Sequence, residues 1–67
     1  MNADVLSDWE LWAAAAAVEK AHGEGAHVFV AERIGALALA GDVAGIETWK
    51  AIAWRMEQLG EMPVNFA

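Results

Sequence analysis

The chain has 67 residues, 58% of them hydrophobic, no cysteine, and ten carboxylates against four lysines and arginines, a formal net charge of −6. That hydrophobic content excludes a disordered chain, and so acidic a balance excludes a nucleic-acid binder that works by neutralising phosphates. One small domain over 1–67 is expected, burying only about 60% of its unfolded surface with no disulfide or thiolate-bound metal to reinforce it, so subunit association is the simplest reinforcement left.

Residues Met1 to Glu10 carry Asp4, Asp8 and Glu10 and no basic patch, unlike a secretory signal, which points to a cytoplasmic protein. Ser7-Asp8-Trp9-Glu10 fits a capping box: the Ser7 hydroxyl serves a free amide of the first turn while Glu10 reaches back to the cap. A first helix over about 8–22 follows. Ala13 to Ala17 give it high helix propensity and a thin profile, and Lys20 and His22 suit its negative end. Gly23 suits a left-handed stop. Gly23-Glu24-Gly25 is then a short break; it lacks the strand, further glycine and lysine of a phosphate loop.

A second helix is predicted over 26–40, with Gly41 as its stop and Asp42 as the cap of a third over 43–59. The Ala26 to Ala40 stretch is interrupted by Glu32 and Arg33 and is shorter than the ~20 residues that span a bilayer, so no membrane partner is expected. So tight a link favours an antiparallel hairpin of the second and third helices. Gly45 weakens the first turn of the third helix, Gly60 ends it before Pro63, and the tail 61–67 is expected to be irregular, with Phe66 folded back. The fold class is all-α, a three-helix domain that self-associates.

Helical phase assigns faces. In the first helix Leu11, Ala15 and Val18 share one side and Trp9, Ala13 and Ala16 another, with Trp12 at the boundary. Val30, Ile34, Leu37 and Ala38 form a stripe on the second, Phe29, Ala36 and Ala40 cover another side, and this helix is expected to be central and most buried. In the third, Ile46, Trp49, Ile52, Ala53, Met56 and Leu59 point inward. Trp54, five residues after Trp49, is turned from it by roughly 140° and falls beside Glu47, Lys50 and Glu57. An indole there meets solvent or a partner. Arg33 and Arg55, set in apolar surroundings, should each pair with a carboxylate or lie over an indole.

The set Glu10-Leu11-Trp12-Ala13, His22-Gly23, Phe29, Ala31-Glu32-Arg33, Leu37, Ala40-Gly41-Asp42, Gly45, Trp49 and Ile52-Ala53 resembles short uncharacterised proteins of sphingomonad-like alphaproteobacteria. The resemblance runs from Trp9 to Leu59. It implies a bacterial, cytoplasmic setting and carries no activity, cofactor or site residue.

The best chemical candidate is Glu19-Lys20-Ala21-His22, since a carboxylate and an imidazole three residues apart on a helix can face one metal. One copy would need completion across a dimer, with Glu24, His27 or Glu32 added; His22 is equally explained by its place at a helix end. The only serine, Ser7, is a cap, Thr48 is a boundary residue, and no nucleophile sits in a catalytic pattern. The carboxylates are spread over all three helices, several at helix starts where the dipole favours them, and form no block of the kind a nucleic-acid mimic presents. The reading is a non-enzymatic, cofactor-free module that forms a homodimer or binds another protein through Trp9, Phe29 and Trp54. The alternative is a metal-binding protein using Glu19 and His22.

Overall fold

The computed structural model describes residues 6–61. Among them there is no strand: the chain forms α1 (Asp8–His22), a 3₁₀ turn (Gly23–Gly25), α2 (Ala26–Ala40) and α3 (Val43–Glu61). The all-α, three-helix expectation holds, and α2 and α3 pack as neighbours. The bounds expected for α1 and α2 are those observed. The third helix runs past Leu59 through Gly60, which keeps a negative φ, to Glu61. The expected fold-back of Phe66 and the rest of the irregular tail lie outside the described residues.

Local signals account for the helix ends. The capping box forms with both bonds: the Ser7 hydroxyl accepts from the Glu10 amide at 3.2 Å, and the Ser7 amide donates to Glu10 Oε1 at 2.8 Å. At the far end of α1 the Gly23 amide donates to the Glu19 carbonyl. Gly23 has φ 54° but ψ −125°, so the stop uses a positive φ outside the left-handed helical basin that the sequence suggested.

The α2–α3 link is the tightest joint in the molecule. Gly41 sits in the left-handed region at φ 73°, ψ 22°. Its amide donates to the Ala38 carbonyl at 3.1 Å, and the Asp42 amide donates to the Leu37 carbonyl at 2.9 Å, the paired bonds of a left-handed helix stop. Asp42 then opens the next helix, its Oδ1 accepting from the Gly45 amide at 2.8 Å and its carbonyl from the Ile46 amide at 3.0 Å. One residue both closes α2 and caps α3. Gly45, expected to weaken the turn, also makes room: a Cβ there would fall 2.7 Å from Asp42 Oδ2 and 3.0 Å from Leu37 Cδ2.

The fully buried core is Ala15 of α1, Ala26 and Val30 of α2, and Ile52 and Met56 of α3, with Leu11, Val18, Phe29, Ile34, Trp49, Ala53 and Leu59 packed against it. Met56 is the largest side chain wholly out of solvent among the described residues, and burying such a side chain contributes about 1.5–3 kcal/mol. Trp12 is half-buried, as its boundary phase predicts, and Trp9, Ala13 and Ala16 are exposed.

The central helix is α3. It packs against both others, which meet each other much less. The expectation of a central α2 is therefore corrected: Ala36, Ala38 and Ala40 are exposed, Leu39 is 93% exposed and Val28 61%. The physical reason is composition. Much of the apolar character of α2 comes from alanines, which have little surface to bury and exert little pull toward a core. The longer α3 carries bulky Ile46, Trp49, Ile52, Met56 and Leu59 in phase, and both neighbours settle on it.

Candidate functional site

Two aromatic and cationic clusters flank α3. In the first, α1 meets the C-terminal half of α3: Trp12 and Trp54 approach edge to face with ring centroids 6.2 Å apart. The Arg55 guanidinium lies 5.4 Å from the centre of the Trp12 ring and 5.6 Å from that of Trp54. It is fixed by its own helix and by α1 together, donating from Nη1 to the Ala51 carbonyl at 3.0 Å and from Nη2 to Asp8 Oδ1 at 2.7 Å. The Arg55 side chain is 14% exposed, whereas that of Asp8 is 74% exposed. Its buried Nε finds no acceptor among the described residues.

In the second cluster, on the α2 side, Phe29 stacks on His22 with centroids 4.0 Å apart and planes 16° apart. The other aromatic partner of Phe29 is Trp49, edge on at 5.9 Å. Arg33 lies over Trp49 at 5.5 Å. Both arginines thus cover indoles as expected, and Arg55 takes a carboxylate as well. An open cleft of about 480 Å³ beside this cluster is lined by Arg33, Leu37, Asp42, Thr48 and Trp49 among others. The Thr48 hydroxyl donates to the Ala44 carbonyl at 3.0 Å, a role that satisfies its own helix.

The expected contact residues separate on this map. Trp9 is 76% exposed and Trp54 53% exposed. Trp9 lies one turn before Trp12 on α1, and Trp12 meets Trp54 edge to face across the α1–α3 seam. Phe29 belongs to the other cluster, half-buried between His22 and Trp49. Sequence phase did not single out Leu39, Val28 and Val43 as exposed, though they are 93%, 61% and 68% accessible. Leu39 follows Val28 by eleven residues, about three turns, on a line outside the Val30–Ile34–Leu37 stripe, which was the available signal.

Glu19 and His22 share α1, but no group of three histidines, aspartates or glutamates converges among the described residues. His22 spends its ring face on Phe29. No described helix is long and apolar enough to cross a membrane.

The arrangement is that of a small three-helix domain with an indole-rich edge on the seam of α1 and α3. The chain belongs to the family of unknown function DUF6961, which it matches over residues 7–63. That span takes in all three helices and both aromatic clusters. No curated protein and no solved structure matches the chain.

Proposed function

We propose that the protein is a single-domain, non-enzymatic interaction module that self-associates as a homodimer through the α1–α3 indole edge, with Trp9 and Trp54 as principal contacts and Phe29 as a supporting one. The observation that carries this reading is the exposure of two tryptophans, 76% and 53%, where so few side chains among the described residues are fully buried. Aromatic residues of this kind dominate interface energetics, and a small isolated domain gains most from covering them. The likeness to short proteins of sphingomonad-like alphaproteobacteria supports a bacterial cytoplasm as its setting, and the formal charge of −6 argues against a nucleic-acid partner.

Sedimentation equilibrium of the untagged chain tests this directly. A mass rising from one subunit to two with concentration is expected, with Trp54→Ala weakening the dimer by roughly tenfold or more, as for an interface hot spot. A wild-type chain that stays monomeric at every concentration removes the self-association. The metal-binding alternative predicts stoichiometric metal lost on His22→Ala; we expect no metal-dependent rise in thermal stability.

A further inference from the structure

The charges around the indole edge are unevenly placed. Asp8 and Glu10 flank Trp9 in sequence and Glu57 follows Trp54 by one turn, all three exposed. The cations of this region each lie beside a carboxylate. Arg55 is 14% exposed and bonded to Asp8, and Lys50, one turn before Trp54, pairs with Glu47 at 3.7 Å. Of the remaining cations, Arg33 lies over Trp49 in the other cluster and Lys20 near the far end of α1. An apolar edge rimmed by carboxylates, on a chain of net charge −6, has a complement of definite chemistry.

We propose that the indole edge docks a basic amphipathic helix of another protein, which displaces the second copy of this chain; the proposal rests on that edge being the contact surface. Apolar side chains of the incoming helix cover Trp9 and Trp54, and its lysines or arginines meet Glu10 and Glu57 and lie over the open indole faces. A second copy fits the apolar part equally well but brings its own acidic rim against the first. The two occupants therefore answer to salt in opposite directions: screening relieves like-charge repulsion in the homodimer and removes attraction from the heterocomplex.

The test uses the full chain and a fluorescent peptide of about 18 residues, long enough for five helical turns, with leucines on one face and lysines on the other. A matched peptide carries glutamates in place of the lysines. The lysine peptide is expected to bind, to lose about tenfold in affinity between roughly 50 mM and roughly 500 mM salt, and to be weakened at least as much by Trp54→Ala, while self-association tightens over the same salt range. Glu57→Lys should weaken the peptide about threefold or more, whereas Glu24→Lys, at the 3₁₀ turn, should leave it unchanged. Both glutamates are exposed, so either variant can keep the fold, which circular dichroism checks.

Equal binding of the glutamate peptide overturns the proposal, as does a loss from Glu24→Lys equal to that from Glu57→Lys, which would signify general charge attraction. If Trp54→Ala abolishes self-association but charge and salt have no effect on the peptide, the proposal falls while the indole edge stands as a contact surface. If Trp54→Ala alters neither, both fall.

Discussion

Arg55 shows how one side chain can serve packing and charge unequally. Its guanidinium bridges two indoles and its charge reaches an aspartate that is mostly in solvent, where an ion pair contributes about 0–1 kcal/mol. Packing against Trp12 and Trp54 is the larger part of its role. Arg55→Ala is therefore expected to cost about 2 kcal/mol in denaturant unfolding, while Asp8→Ala costs at most about 1. Arg55→Met keeps the unbranched bulk and removes the unpaired Nε, so its cost should stay within about 1 kcal/mol of wild type. If Asp8→Ala proves as damaging as Arg55→Ala, charge outweighs packing and the assignment is reversed. That Arg55 would lie over an indole was legible from its place after Trp54. That it would sit between two indoles was not, because Trp12 reaches it only through the registration of α1 on α3, forty-odd residues away in sequence.

Among the elements, the α2–α3 joint makes the sharpest demands. Gly41 at φ 73° occupies a basin that costs an L-residue roughly 1–2 kcal/mol, so Gly41→Ala should lower stability by about that amount. Gly45→Ala tests the close approach. In an open helix this change gains about 1 kcal/mol from propensity. Here the added methyl meets Asp42 Oδ2 and Leu37, and the gain should be largely cancelled. In the Gly45→Ala background, Asp42→Ala should then cost less than in wild type, since the cap has already been disturbed; a double-mutant cycle from unfolding curves measures this coupling. These ends were readable because caps and stops are written in adjacent residues: Ser7 with Glu10, Gly41 with Asp42. The rank of the helices in burial was not. An alanine-rich helix has an apolar face in every direction, and which face is covered depends on the bulky side chains of a different element.

At the scale of the molecule, a core whose largest fully buried side chain is Met56 leaves little reserve. Met56→Ala, at about 2–5 kcal/mol, is expected to abolish cooperative unfolding at ordinary temperature rather than merely lower the midpoint. Association adds stability by mass action, so the thermal midpoint of the wild type should rise with protein concentration, and that of Trp54→Ala should rise less. A midpoint independent of concentration would detach the exposed tryptophans from subunit stability. The candidate edge was half visible in advance. Trp54 and Trp9 fall out of phase with the core stripes, and their exposure follows from that; Phe29 also lies off the Val30–Ile34–Leu37 stripe, but its stacking on His22 depends on how the 3₁₀ turn folds α1 against α2.

The double duty of Asp42 also bears on where the chain can change length. Because the last bond of α2 and the first cap of α3 meet on the same residue, adding or deleting even one residue between Gly41 and Val43 breaks both and rotates one helix relative to the other. The exposed Glu24 side chain caps neither helix, and its turn is held by the Ala26 amide donating to the Gly23 carbonyl. A one-residue insertion at Glu24 should therefore cost less stability than one in the hairpin turn, and its cost should read out in the stacking of Phe29 on His22.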